Sequence, residues 1–467
     1  MSTIIVKIIV LCVIMFITFV WFLKKREIRE KKEYILSLYI ICLTIPLQFP
    51  LLKLANKAPT GAWGEIIYVS LWNLLLIAML FLPKEKIFRN DNKLLKWWLF
   101  FLVAGILSIF NPVNFNLLGS LVGVYYFAWF IFSLTIIYSR FNHENIFNSL
   151  WTSFKILLLI QLLLSLAFPL LNITEATTLF YGGDALEWTT RGDRESAVGT
   201  FTHPSNLGLI TSFIFVYFTS TYFLSINKKQ SLLFMGIAFT IILLTKSRTN
   251  IALIFFLFFF IKMFTQKSNL KKIIFRGSLL LPIIAIIAFL LINFTEFGSN
   301  LFLTDNIQEM GVARFVHWYL GWEIFSANPL IGVGLNSHLN YLHHNIVVIP
   351  GLQDYKYEFF ITNPLHNTHL IMLSEYGILG GIIWLYGFYF IIKKNLIEYN
   401  LSIISKEINP FSYIFTLAII IIYFFYAFTG WATTQYFVIS FMIIFLVHNN
   451  KIISDYQTKI NPCKKSL

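Results

Sequence analysis

Charged residues and cysteines are scarce in this sequence. Asp, Glu, Lys and Arg make up 12% of the 467 residues and hydrophobic residues 57%, a composition that excludes an ordinary soluble domain. Cys12 and Cys42 fall in apolar runs and Cys463 lies near the C-terminus, so neither a disulfide framework nor a cysteine metal cluster is expected. The net charge of +14 is spread in short clusters between apolar runs, which argues against nucleic acid as a partner.

Apolar runs of about the 20 residues that cross a bilayer are abundant instead. They predict an all-α polytopic membrane protein with about 12–13 transmembrane helices. The runs lie at residues 3–23, 34–52, 64–83, 97–112, 116–139, 147–171, 205–226, 230–245, 250–265, 277–295, 366–392, 410–428 and 434–449. The first run has no cleavage-like site, so we interpret it as a retained span. Most Lys and Arg residues lie in alternate linkers and the tail, which predicts a cytoplasmic C-terminus.

Two linkers, 172–204 and 295–365, are much longer than the others, and long loops in compact bundles are usually functional or disordered. They predict four parts: N-terminal helices at 1–171, central helices with a first outer loop at 172–295, a large extracytoplasmic loop at 296–365, and C-terminal helices with a cytoplasmic tail at 366–467. Within the large loop, aromatic residues recur at helical spacing, while Arg314, His317 and Gly321 fall on another face. This pattern predicts an amphipathic helix that lies on the membrane over a cavity.

The segment NPLHNTHLIMLSEYGILGG, from Asn363 to Gly381, joins a polar loop to an apolar helix. Asn363 can cap this helix and Pro364 suits its first turn, so His366 is expected within the first turn. The helix dipole there favours a neutral imidazole, which can accept a proton, and His366 is therefore a candidate general base. The alternative is a polar residue that merely marks the membrane surface.

Other residues of this helix have simpler interpretations. Glu375 is nine residues from His366 and is expected on the far side of the helix, where it serves packing. Gly377 and Gly380 belong to a face of small residues that a neighbouring helix can approach closely. His369, with His343 and His344, lacks the spacing of a zinc protease, so no metal is expected.

Four arginines lie on the predicted outer side, where Lys and Arg are rare: Arg191, Arg194, Arg248 and Arg314. Each guanidinium presents a planar fork of donors that suits phosphate oxygens, so together they can bind a diphosphate. The alternative for each one is snorkelling or a local ion pair.

The spacing of these residues forms a recognisable pattern. His366 and Asn367 are followed nine residues later by Gly377 and then by Gly380. Upstream lie Arg314 with its two tryptophans, NPLIGVGLN at 328–336, TKSRTN with Arg248, and GTFTHPSN at 199–206. Over roughly residues 190–395 the chain resembles the bacterial O-antigen ligase and O-antigen polymerase superfamily, membrane glycosyltransferases that use undecaprenyl diphosphate-linked glycans.

The resemblance implies that His366 is the catalytic base and that Arg248 and Arg314, with Arg194 or Arg191 in its place, bind the diphosphate or the acceptor. It implies no metal or other cofactor. The implied partners are an undecaprenyl diphosphate-linked glycan donor, a glycan acceptor, membrane lipids and a chain-length regulator. The implied location is the bacterial cytoplasmic (inner) membrane, with the site on the periplasmic or extracellular side.

Three functional hypotheses follow from the sequence. The first is a polymerase that joins lipid-linked oligosaccharide repeat units for O-antigen, capsule or exopolysaccharide. The second is a ligase that transfers glycan to lipid A core or to a protein. The third is a glycan flippase or transporter, which the absence of charged residues along successive spans disfavours.

Overall fold

The protein is an all-α polytopic membrane protein, as the sequence predicts. The computed structural model describes residues 27–44, 48–53, 66–85, 93–114, 116–170, 196–201, 203–265, 307–345, 347, 363–404, 410–430 and 434–460. Seven helices in this part of the chain are long and apolar enough to cross a membrane. The predicted spans at 3–23 and 277–295 lie outside the described residues.

The helices follow one another along the chain with one short hairpin near the start. In order they are α1 Ile28–Thr44, β1 Gln48–Lys53, β2 Ile66–Ser70, α2 Leu71–Met79, α3 Lys93–Ile109, α4 Leu117–Arg140, α5 His143–Leu170, α6 Pro204–Phe223, α7 Lys228–Leu244, α8 Arg248–Thr265, α9 Ile307–Ala327, α10 His338–His344, α11 Thr368–Ile404, α12 Phe411–Thr429 and α13 Tyr436–Ile460. The apolar runs from 97 to 265 and from 366 to 449 therefore correspond to the helices that the sequence predicts.

The two predicted spans at 34–52 and 64–83 are corrected by the structure. The first run ends its helix at Thr44 and continues as β1, and the second begins as β2 before α2. The strands pair antiparallel with an irregular register after Pro50. A proline lacks the N–H that a helix interior needs, and in a sheet it is confined to edges and irregularities. Apolar composition alone does not report this change of backbone.

Helix α6 is the centre of the bundle. Every residue from Asn206 to Thr221 is buried, and the helix packs against α7, α8 and α12. His203 precedes it as the N-cap, and its ring nitrogen accepts a hydrogen bond from the Ser205 N–H, while Pro204 occupies the first turn. The beginning of α6 is therefore fixed at the end of the bundle where the candidate site lies.

Residues 307–345 form a unit that we call the cap. It consists of α9, a loop and α10, and it has an apolar core separate from that of the bundle. The core residues are Val316, Leu320, Ile324, Val333, Leu339, Leu342, Leu365 and Ile371. The last two belong to the start of α11 and the segment before it, so the cap is packed directly onto the His366 junction.

The aromatic residues of α9 lie on its other side. Phe315, Trp318 and Trp322 are 65%, 41% and 55% exposed, whereas His317 is 1% exposed. The side that carries His317 and Gly321 is thus the buried side, as the separation of the two faces in the sequence suggests. Exposed aromatic side chains are typical of a membrane–water interface.

The cap is also held by the first turn of α4 and by the loop between α3 and α4, which we call the asparagine loop after Asn111 and Asn114. The Asn111 amide donates to the Gly332 carbonyl at 2.5 Å, and the Ser337 hydroxyl donates to Asn114 Oδ1 at 3.2 Å. The Asn336 amide donates to the Gly119 carbonyl at 3.0 Å. The N-terminal helices, which lie outside the range of the resemblance, therefore help to place the cap.

Candidate active site

The helix after His366 begins later than the sequence predicts. It starts at Thr368, and the Asn367 side chain accepts a hydrogen bond from the Leu370 N–H at 3.1 Å. Asn367 is therefore the N-cap, and His366 precedes the helix instead of lying in its first turn. The expectation that Asn363 caps the helix is wrong, because Asn367 supplies the same side chain four residues later.

The imidazole of His366 stacks on that of His317 from the cap. The ring centroids are 4.6 Å apart and the planes differ by 16°. Next to His317, the Trp318 indole N–H donates to the His366 carbonyl at 3.3 Å. Two adjacent residues of α9 therefore contact the ring and the backbone of the same histidine.

His317 is neutral under physiological conditions. Burial, with smaller effects from the neighbouring His366 and His338, lowers the pKa of His317 from 6.5 to about 3. A buried imidazole without a compensating negative charge resists protonation. The ring that faces His366 therefore adds no positive charge to the site.

A buried histidine–glutamate pair lies beneath this stack. His338 Nδ1 is 2.7 Å from Glu375 Oε1, and both side chains are almost fully buried. The same carboxylate oxygen accepts the Ser337 N–H at 3.1 Å. Glu375 thus joins α11 to the start of α10, a more specific role than the packing that the sequence suggests. Helix periodicity places Glu375 on a face, but it does not reveal which loop covers that face.

Gly377 breaks the helical backbone of α11 and accommodates the cap loop. Its φ is 63° and its ψ is −165°, a region that is essentially restricted to glycine. The Ile378 N–H donates to the Pro329 carbonyl at 2.7 Å, and the Val333 N–H donates to the Ser374 carbonyl at 2.8 Å. The backbone groups that the kink releases from the helix are therefore satisfied by the loop.

The glycines of the His-Asn pattern have partners other than those expected. A Cβ at Gly377 would lie 2.4 Å from the Leu330 carbonyl carbon and oxygen, so the cap loop, and not a neighbouring helix, approaches it. A Cβ at Gly380 would lie 2.2 Å from the Cβ of Tyr376 in the same kinked helix. The prediction that both glycines serve helix–helix packing is corrected accordingly.

The turn TKSRTN at 245–250, which carries Arg248 and which we call the Ser-Arg turn, is linked to the His366 junction through α12. At the start of α8, the buried Asn250 amide donates to the Tyr426 hydroxyl at 2.9 Å, and that hydroxyl donates to the Ser205 carbonyl at 3.0 Å. At the end of α12, the Thr368 hydroxyl donates to the Gly430 carbonyl at 3.0 Å. The turn that carries Arg248, the start of α6 and the start of α11 therefore lie at one end of the bundle.

The two described arginines of the site belong to this end. Arg248 is the first residue of α8 and half-buried. Arg314 is exposed, precedes His317 by one helical turn, and lies within electrostatic range of the Tyr426 hydroxyl. Residues three apart on a helix are neighbours on its surface, so Arg314 lies beside the histidine stack. Arg191 and Arg194 lie outside the described residues, and their assignment stays a prediction.

The remaining histidines are placed differently. The His369 ring packs against those of Phe424 and Phe428, at 5.1 and 4.5 Å, and His343 and His344 contact each other at the end of α10. The sequence interpretation missed His317 as the partner of His366 and missed His338 altogether. The position of His317 on the face of α9 that also carries Gly321 was the available signal.

Comparison with known families agrees with this geometry. Residues 233–385 match the family described as O-antigen ligase, Wzy_C. This segment, about a third of the chain, is similar to that family. The predicted resemblance to the O-antigen ligase and polymerase superfamily is thereby confirmed, and the match supports a glycan-joining, glycosyltransferase-like enzyme in general. No curated protein matches the chain.

The matched segment contains most of the candidate site. It begins within α7 and ends within α11, so it includes the Ser-Arg turn, the cap and the His366 junction. The start of α6 and the asparagine loop before α4 lie outside it. The matched segment is therefore completed by contacts from parts of the chain that the family match does not cover.

Proposed function

We propose that the protein transfers a glycan from a polyprenyl diphosphate to a hydroxyl of an acceptor. The observation that carries this proposal is the stack of His366 on a buried neutral histidine, beside Arg314 and at the same end of the bundle as Arg248. A histidine that precedes a helix and arginines around it supply a proton acceptor and a binding site for an anionic leaving group.

The chain's own residues then have distinct tasks. His366 accepts the proton of the attacking hydroxyl, whose oxygen forms the new bond to the sugar C1 carbon. The bond between that carbon and the phosphate oxygen breaks, and the electron pair leaves with the polyprenyl diphosphate. Arg248 and Arg314, with Arg194 or Arg191, stabilise the charge that develops on the leaving diphosphate.

Within this class we propose a polymerase that joins lipid-linked repeat units for O-antigen, capsule or exopolysaccharide, since polymerases are the more numerous and divergent members of the superfamily. The second candidate is a ligase acting on lipid A core or on a protein, which the description of the matched family favours. Both would act with the undecaprenyl diphosphate-linked donor, and a polymerase also with a chain-length regulator.

We propose that the site faces the periplasmic or extracellular side of the bacterial cytoplasmic membrane. Helix α4 runs from the asparagine loop beside the cap to Arg140 at the opposite end of the bundle. At that opposite end, Arg140 donates to the Leu82 carbonyl and Lys32 pairs with Glu85. The positive-inside rule supports a cytoplasmic location for this basic end.

The test is a pair of histidine substitutions in a strain that lacks the chromosomal gene. His366→Ala removes the proton acceptor without removing the Asn367 cap, so the protein should remain in the membrane while the surface glycan disappears. His369→Ala, the matched control three residues later at the start of α11, should retain glycan. A full-length glycan from the His366 variant at normal abundance would reject the proposal, as would parallel loss of activity and abundance in both variants.

A further inference from the structure

The proposed mechanism assigns no role to His317. Its imidazole nevertheless lies face to face with that of His366. A ring can turn about its outer side-chain torsion between broad minima, unless packing prevents it. We propose that His317 is a positioning residue that holds the His366 imidazole in the orientation from which it accepts the proton. This inference rests on the proposed function of His366.

The helix that carries His317 is firmly attached to the junction. The Trp318 indole holds the His366 carbonyl, and one turn further on the Ser374 hydroxyl donates to the Gly321 carbonyl at 3.0 Å. A Cβ at Gly321 would lie only 3.0 Å from the Leu370 Cβ, so α9 and α11 are in close contact here. The backbone that carries His317 is therefore held in place by contacts that do not involve the His366 ring.

The groups around His317 are consistent with a neutral ring. His366 faces it from the junction, His338 approaches from α10 with Glu375 behind it, and Arg314 lies one turn earlier on α9. Burial keeps the imidazole unprotonated. A neutral flat ring can support His366 without opposing the positive charge that His366 acquires when it accepts a proton, whereas a cation at this place would oppose it.

The test compares two apolar side chains at the buried position 317. His317→Phe retains a flat ring, whereas His317→Leu fills the space without one. Using purified protein and lipid-linked oligosaccharide extracted from the deletion strain, we expect His317→Leu to lower kcat about tenfold with little change in KM for the donor. His317→Phe should remain within about threefold of the wild type, and both variants should be equally abundant in the membrane.

The possible outcomes separate the alternatives. If His317→Phe is as impaired as His317→Leu, a ring nitrogen is required and positioning is rejected. A wild-type kcat for His317→Leu, or a loss of abundance that accounts for the loss of rate, also rejects it. His366→Ala is measured in parallel: activity in that variant rejects the proposed function itself, whereas an inactive His366 variant beside a fully active His317→Leu rejects positioning alone. The variant that combines His317→Leu with His366→Ala should be no slower than His366→Ala alone.

Discussion

Replacing Gly377 with alanine should release the cap from α11. The φ of 63° and ψ of −165° are essentially closed to residues with a Cβ, and such strain costs about 1–3 kcal/mol. The new Cβ would also lie 2.4 Å from backbone atoms of Leu330, and backbone cannot move aside as a flexible side chain can. The cap loop that carries Leu330 must then move away from α11.

When the cap loop moves away, its hydrogen bonds to α11 are lost as well. The hydrogen bonds from Ile378 to Pro329 and from Val333 to Ser374 are worth about 0.5–1.5 kcal/mol each. With the strain, the docked cap should lose about 2–6 kcal/mol. Because the cap carries His317 and Arg314, we expect activity to fall at least about tenfold, since each 1.4 kcal/mol is a factor of ten in the docked equilibrium.

Gly236→Ala is the matched control for this substitution. Gly236 lies within α7 and a Cβ there meets nothing within 4 Å, so alanine should be neutral or stabilise by up to about 1 kcal/mol. Limited proteolysis of the cap, melting temperature in detergent and glycan synthesis would be measured for both variants. If Gly377→Ala matches Gly236→Ala in all three measurements, the reasoning about the kink is refuted.

Three further predictions follow from the site. Arg248→Lys and Arg314→Lys should each reduce activity strongly at unchanged abundance, because lysine keeps the charge but loses the two-pronged contact with phosphate; lysine variants that synthesise normal glycan would remove that arginine from the site. As pH falls from about 6.5 toward 3, His317 binds a proton in the unfolded chain but not in the folded protein, where it is buried. The free energy of unfolding should therefore fall by about 1.4 kcal/mol per pH unit. The melting temperature of the wild type should decline more steeply with acid than that of His317→Phe, and parallel curves would contradict the assignment. EDTA should change the rate of glycan transfer little, because arginines bind the diphosphate; loss of activity that zinc, magnesium or manganese restores would overturn a metal-free mechanism.

The sequence by itself determined the class of the protein and pointed to the candidate junction. Long apolar runs leave the backbone no partner but itself in a membrane, so helices are required, and the spans from 97 to 265 and from 366 to 449 follow from composition. The segment from Asn363 to Gly381 pointed to His366, because there an imidazole stands where a polar loop meets an apolar helix. The run at 34–52 shows the limit of this argument, because apolar residues suit a strand as well as a helix. Its helix ends at Thr44, and Gln48–Lys53 form a strand instead.

Only the tertiary structure decided which groups surround His366. His317, His338 and Glu375 are separated by 21 or more residues in sequence, and their approach depends on how the cap loop crosses α11 at Gly377. Glycine at that position is compatible with a packing face or with a kink, and the sequence does not distinguish the two. The distinction depends on backbone hydrogen bonds between distant segments, because a helix can break where a loop replaces its lost partners.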